Sequence, residues 1–369
     1  MSQQMEMKLE NRNRVFHKIR EEGSISRPEI IRQLNLSLPT VAQNLNELLE
    51  MNLIRESGVI GNTGGRRAKA YSISAESVIS IGLDIAQEEI SIVVADLTGK
   101  MLEHEKKTVV YQRNDAYYRI LGDYIAEIET KYPKSVILGV GIAVQCIVSH
   151  DYQTALFCKS MDMQGLTVEE IGKYIPYPCR LYNDANAAGY AEITEWSDTK
   201  NMFYISLSDN IGGAVLVNDT LYYGDTPKSG EIGHIILYPD GKQCYCGQKG
   251  CFDAYCNASV LRKASGMRLD AFFAKLAEGD ADCVAHWNEY LEHLSLAIHA
   301  VRMLFDCKIV LGGYVGTYME PYLDVLREQV IARNPFENNA DYLDVCCVKT
   351  DALAYGSALP FIHAYWNDV

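Results

Sequence analysis

A chain of 369 residues, 48% of them hydrophobic and with a formal net charge of −14, is long enough for two or three domains with sizeable cores. No apolar run approaches the roughly 18 residues of a membrane span, and the polar, charged N-terminus does not read as a signal peptide. Eleven cysteines, an odd count, then point to reduced thiols and a cytoplasmic location.

The charge is uneven. Residues 1–74 hold 11 Lys+Arg against 8 Asp+Glu, a net of +3, and the rest hold 23 against 40, a net of −17. A mildly basic head can approach phosphate backbones that an acidic body repels. In that head, "ENRNRVFHKIREEG" sets Val15, Phe16 and Ile19 on one helical face and stops at Gly23. "SRPEIIRQLN" starts a second helix, with Ser26 as cap and Pro28 in the first turn. Ser37 caps a third, in which Val41, Leu45 and Leu48 form the apolar stripe. Pro39, Thr40, Gln43, Asn44 and Glu47 are assigned to its other face. Gln and Asn there suit bidentate contact with adenine in the major groove. "LIRESGVIGNTGGRRAKAYSI" follows as two strands around a Gly-rich tip, with Arg66, Arg67 and Lys69 able to reach phosphates or a narrow minor groove. The series predicts a winged helix-turn-helix over 1–76 that binds a double-stranded DNA operator.

Near Ser77 the pattern changes. "VISIGLDI" and "ISIVVADLTGK" read as strands, "YYRILGDYIAEIETKY" as an amphipathic helix and "VILGVGIAV" as a buried strand. "CRLYNDANAAGYAEI" is a strand running into an Ala-rich helix. "NMFYISLS" and "GGAVLVND" form another hairpin. The long helix "HWNEYLEHLSLAIHAVRMLF" leads to the strand "KIVLGG", and a helix around "ALAYGSALPFIHAYW" closes the chain. Alternating strands and helices indicate an α/β body over 77–369, and two β-rich blocks indicate two lobes with a ligand cleft between them.

The densest chemistry lies in about 230–256. His234, Cys244, Cys246 and Cys251 offer one imidazole and three thiolates within 18 residues. That set suits tetrahedral zinc in a closed, structural site, with Gly247 and Gly250 allowing tight turns between the sulfurs. Four protein ligands leave no position for a catalytic water.

"GEIGH", nine residues and "CYCGQKGC" resemble the signature of the ROK family of repressors, open reading frames and sugar kinases. "YNDANAAGYAE", "IVLGGYV" and "YGSAL" resemble its other hallmarks, so the resemblance runs from about Val78 to the C-terminus. It implies the two-lobed, actin-like sugar-kinase architecture, and the winged helix implies the repressor branch. It also implies sugar binding through Asn183, Asp184, Glu231 and His234. Where the family has a glutamate, this chain has the shorter Asp253. The zinc clasp would then shape the sugar loop, with one His234 nitrogen on the metal and the other on a sugar hydroxyl or a neighbour.

In the family's kinases Asp184 is the general base on a sugar hydroxyl. Their phosphate loop, of the form D-x-G-G-T-K, is here "DIAQEE", with Glu88 and Glu89 where phosphate would lie. Like charges about 4 Å apart repel by roughly 1 kcal/mol in bulk water and more in a cleft. Asp209 and Asn210 alter the second phosphate loop, and Tyr314 replaces a glycine near the adenosine position. The expectation is a sugar-responsive repressor of carbohydrate-use genes with no catalytic residue, Asp184 being a vestigial base. Its cofactor is structural zinc, and its partners are an operator, a sugar effector and further copies in a homodimer or homotetramer. The alternatives are a bifunctional ATP-dependent sugar kinase and a repressor controlled by a protein partner.

Overall fold

The computed structural model describes residues 3–60, 68–196 and 198–369. Helix α1 (Gln3–Glu22) stops at Gly23, whose φ of +68° is the left-handed geometry that ends helices. Strand β1 (Ile25–Ser26) leads into α2 (Arg27–Leu34), where Glu29 reaches back to the Ser26 amide at 3.2 Å and hydroxyl at 2.7 Å. Helix α3 (Leu38–Glu50) is capped as expected: Ser37 Oγ accepts the Thr40 N–H at 3.3 Å. Strands β2 (Ile54–Ile60) and β3 (Ala68–Ile73) pair antiparallel from Ile54 opposite Ile73 to Ile60 opposite Ala68. With β1 on the far edge of β3 they make a three-stranded sheet. The wing strands are therefore present, while the tip, with Arg66 and Arg67, lies outside the described residues.

The body continues with β4 (Val78–Ile85), β5 (Glu89–Asp96) and β6 (Met101–Thr108). Helix α4 (Asp115–Lys131) is capped by Asn114, and β7 (Val136–Val144) follows. Next come a small hairpin, β8 (Ile147–Val148) and β9 (Ala155–Phe157), the turn-length α5 (Val168–Ile171), β10 (Cys179–Asn183) and α6 (Asp184–Ile193). One sheet has the order β10-β7-β4-β5-β6.

Strands β11 (Met202–Leu207), β12 (Ile211–Val217) and β13 (Thr220–Leu221) open the next block. Four helices follow, α7 (Asp253–Cys256), α8 (Ala258–Ser265), α9 (Leu269–Ala277) and α10 (Ala281–Phe305). Then come β14 (Lys308–Gly312), α11 (Gly313–Gly316), α12 (Leu323–Ile331), β15 (Leu343–Val345) and α13 (Ala352–Asp368). The second sheet runs β13-β12-β11-β14-β15, with β14 parallel to both β11 and β15. Parallel neighbours need long crossovers, and the helices between them supply these. No helix among the described residues is long and apolar enough to cross a membrane.

The chain forms two units. The first comprises Met1–Ile142, Val168–Arg180 and Ala358–Val369. Its winged helix is not packed only on itself: Val15, Phe16, Ile19, Leu45 and Leu48 share one buried cluster with Val78, Leu97 and Val369. The second comprises Ala143–Thr167 and Leu181–Ser357, and its core is aromatic, with Phe203, Phe252, Phe272, Trp287 and Tyr290 buried together.

Candidate functional site

The face of α3 follows from helix geometry. Val41, Leu45 and Leu48 are buried, and so is Asn44, at 2% exposure. The expectation that Asn44 faces DNA is therefore corrected. Asn44 lies three residues after Val41 and four before Leu48, which puts it on the apolar side. The exposed residues are Leu38, Pro39, Gln43, Asn46 and Glu50, with Thr40 half-exposed. Asn46 was missed, although it stands seven residues after Pro39, which is two turns. Glu47 is turned toward α1, where Lys8 meets it at 2.7 Å and Arg12 at 3.5 Å. Gln43 Nε2 donates to Glu47 Oε1 at 3.1 Å, and Lys69 in the wing pairs with Glu56 at 2.7 Å.

The loop after β13 is held by backbone contact that only glycine permits. Gly230 has φ +83°, and a Cβ there would stand 2.3 Å from the Gly213 carbonyl oxygen on β12. Gly230 is thereby seated against that strand, and the short turn Ile232–His234 follows it. Farther on, Gly250 has φ +80° and a Cβ would meet the Tyr238 carbonyl at 1.8 Å. Between these anchors the Cys244 amide bonds the Gln248 carbonyl at 2.8 Å, and the Gly247 amide bonds the Cys244 carbonyl at 3.1 Å, forming a tight knuckle.

That knuckle gathers His234, Cys244, Cys246 and Cys251, whose donor atoms all lie within 4.8 Å of one another. His234 Nδ1 is 3.9 Å from Cys244 Sγ, and the sulfurs of Cys246 and Cys251 are 3.7 Å apart. Four donors at this spacing could hold a metal ion. Burial lowers the His234 pKa, which favours the neutral imidazole that metals bind. The other nitrogen, Nε2, faces the Tyr245 hydroxyl at 3.2 Å, and Lys159 Nζ donates to the Tyr245 carbonyl at 3.2 Å. Tyr245 and Lys159 were not singled out by sequence; Tyr245 stands between two of the clustered cysteines, whereas nothing local marks Lys159.

Asn183 caps α6, accepting the Asn186 amide at 3.0 Å, and its Nδ2 donates to Asp184 Oδ1 at 3.0 Å and to the Cys146 carbonyl at 3.1 Å. Asp184 is half-buried as a residue, but its carboxyl is enclosed by protein, and this burial raises its pKa to about 6. Glu231 is exposed as a residue, yet burial of its carboxyl first and the Asp184 carboxylate second push its pKa upward. The two acids therefore lie within electrostatic reach of each other. Asp253 is 1% exposed and already engaged: Oδ1 accepts the Ile211 amide at 2.7 Å and Oδ2 the Asn257 amide at 3.0 Å. It also acts electrostatically on His234. Asn183, Asp184, Glu231, His234 and Asp253 all belong to the second unit.

The phosphate-loop departures form tight turns. Ala86 N–H closes the β4–β5 hairpin on the Glu89 carbonyl at 3.0 Å, and Gln87, Glu88 and Glu89 are exposed. Leu207 pairs with Ile211 across the β11–β12 turn, where Asp209 is bound by Arg262. Tyr314 is 53% exposed.

Residues 80–352 match the ROK family, and residues 19–55 match a winged helix-turn-helix DNA-binding segment. The chain is 27% identical over 340 residues to a xylose repressor of Bacillus spizizenii, covering 90% of this chain and 86% of that protein. Its fold resembles the crystal structure of a ROK family transcriptional regulator, a homolog of the Escherichia coli MLC protein (TM-score 0.79, 21% identity, 98% of this chain and 97% of the other). It also resembles a ROK family glucokinase from Streptomyces griseus in complex with glucose and AMPPNP (TM-score 0.64, 22% identity, 76% and 98%).

Proposed function

Because the chain belongs to the ROK family, we propose that it is a sugar-responsive, DNA-binding repressor of carbohydrate-use genes that does not phosphorylate its sugar. One observation carries this reading: the same chain joins a winged helix with Gln43 exposed to a ROK body whose first hairpin presents Glu88 and Glu89 to solvent. Residues 1–76 serve as the operator-binding segment and 77–369 as the effector body. Asn183, Asp184, Glu231, His234 and Asp253 bind the sugar, the first and last also holding the local backbone.

The ion is zinc, held by His234, Cys244, Cys246 and Cys251. Tetrahedral zinc–sulfur bonds of about 2.3 Å put two sulfurs roughly 3.8 Å apart, and the Cys246–Cys251 spacing of 3.7 Å supports this fit. With four protein ligands its role is to order the loop. The protein acts in the cytoplasm as a homodimer or homotetramer, since paired winged helices read paired half-sites.

A sugar shifts operator binding only by its difference in affinity for the bound and free forms. The test is operator binding across a panel of pentoses and hexoses, with an ADP assay on the same mixtures with ATP and magnesium. We expect one sugar to change operator affinity and no ADP to form. The raised pKa of Asp184 favours a second reading, a bifunctional kinase, because a carboxylate near neutrality suits a general base. Sugar-dependent ADP formation would establish the kinase instead.

A further inference from the structure

The β8–β9 hairpin carries two cysteines that the preceding function does not use. Ile147 pairs with Phe157 in antiparallel register. The next pair outward in that register is Cys146 opposite Cys158. The Cys146 N–H bonds the Val144 carbonyl at 2.8 Å, and its carbonyl accepts Asn183 Nδ2 at 3.1 Å. With its backbone groups committed there, Cys146 faces Cys158 as a non-hydrogen-bonded neighbour, the cross-strand geometry that brings side chains closest. Both are free thiols, 3% and 9% exposed.

The two thiols have unlike surroundings. Cys158 Sγ lies 3.5 Å from the Gln145 carbonyl and 4.0 Å from Ser160 Oγ, while Cys146 Sγ lies 3.9 Å from Met163 Sδ. The neighbouring Cys146 side chain brings Cys158 down to about 6 against the effect of burial, helped by the amides of Met161 and Ser160. The Cys158 side chain, with burial, drives Cys146 upward. The two shifts run in opposite directions, so one sulfur of the pair ionises more readily than the other.

We propose that Cys146 and Cys158 form a reversible dithiol–disulfide site, oxidised by peroxides, on the hairpin that supports Asn183 and Asp184. The Cys158 thiolate attacks a peroxide oxygen, the O–O bond breaks, and Cys158 becomes a sulfenic acid as one water leaves after proton uptake. The Cys146 sulfur then attacks the sulfenic sulfur, its thiol proton departs with the hydroxyl as a second water, and the S–S bond forms. In sum, two thiols and one hydrogen peroxide give one disulfide and two waters. Closing the bond draws on residue 146, whose carbonyl holds the Asn183 side chain, so oxidation reaches the first turn of α6 directly. This chemistry stands apart from the effector reading, which only gives it a use.

The experiment uses the full chain treated with hydrogen peroxide, alkylated and digested with trypsin without reductant. Peptide 135–159 contains both cysteines and no internal Lys or Arg. It should emerge unalkylated and lighter by two hydrogens, and return to a doubly alkylated form after dithiothreitol. In Cys158→Ser and, separately, Cys146→Ala, this loss should vanish. Hydrogen exchange at the Asn186 amide, bonded to Asn183 Oδ1, should change at least about five-fold between the two states of the wild type and not in either variant. Two alkylatable thiols after peroxide would overturn the proposal, as would oxidation confined to the peptides carrying Cys244, Cys246 and Cys251. A disulfide that leaves Asn186 exchange unchanged would overturn the link to α6.

Discussion

Asp184 carries a charge that its surroundings resist. Burial raises its pKa to about 6, whereas in the unfolded chain it titrates near about 4. Between those values the folded chain holds a proton that the unfolded chain has released, so this group's contribution to stability falls as pH rises from about 4 to 6. Asp184→Asn should therefore be more stable than the parent at pH 7.5, by up to about 3 kcal/mol. The gap should close toward pH 4. Urea melts of both proteins at pH 7.5, 6 and 4.5 check this, and a gap independent of pH would contradict it. On α3, Gln43→Ala and Asn46→Ala should each weaken specific operator binding by about 1–3 kcal/mol if they touch bases. Asn44→Ala should act on stability instead, because its Oδ1 is buried and finds no hydrogen-bond partner among the described residues. Operator titrations paired with melts separate the two effects. Equal operator losses at all three positions would refute the orientation of α3.

At the scale of elements, the metal loop shows how few residues set a local shape. Two glycine contacts anchor its ends, and the His–Cys cluster closes its middle. Cys246→Ser should abolish near-stoichiometric zinc and make residues 230–256 protease-sensitive, since ligand geometry orders that segment. Elemental analysis and limited proteolysis read this out, and full zinc content in the variant would mean that another set binds it. Elements with strong local signals were legible in sequence. The caps at Ser26 and Ser37 are where their short polar side chains predicted, and Val136–Val144 is a strand as its unbroken apolar run required. Strand β6, "MLEHEKKT", was not read. Its polar residues suit an edge position where none of its side chains is fully buried, and only pairing with β5 makes it a strand. The β8–β9 hairpin was missed because strands of two and three residues leave no period to detect.

At the scale of the molecule, the first unit brings residues from the two ends of the chain together. The Arg20 guanidinium lies 3.6 Å from the centre of the Trp366 ring, and Trp366 Nε1 donates to the Leu97 carbonyl at 2.7 Å. Asn13 Nδ2 donates to the Asn367 carbonyl at 2.8 Å. The His363 ring packs tilted against the same tryptophan with centres 4.4 Å apart, and burial followed by the Arg20 charge brings its pKa down to about 4. Trp366→Ala should cost about 2–3 kcal/mol, less than the roughly 3–5 for a fully buried tryptophan, and should loosen α1 as the operator-binding segment loses its seat. Denaturant melts and operator binding measure both effects. A cost below about 0.5 kcal/mol would show that the winged helix is held without this contact.

The sequence by itself determined the winged helix and the ROK body, because caps, periodicity and the cysteine–glycine spacing are properties of neighbouring residues. It also determined which four residues gather at the metal loop, since they lie within 18 positions. Only the tertiary structure decided that Asn44 turns inward, that Glu47 belongs to Lys8 and Arg12, and that Asp253 is already bound to Ile211 and Asn257. The pairing of Ile147 with Phe157, which sets Cys146 beside Cys158, and the contact of Arg20 with Trp366 were likewise decided there. The direction of a side chain depends on what packs against its element, and a partner 12 or 346 positions away leaves no mark in the local pattern.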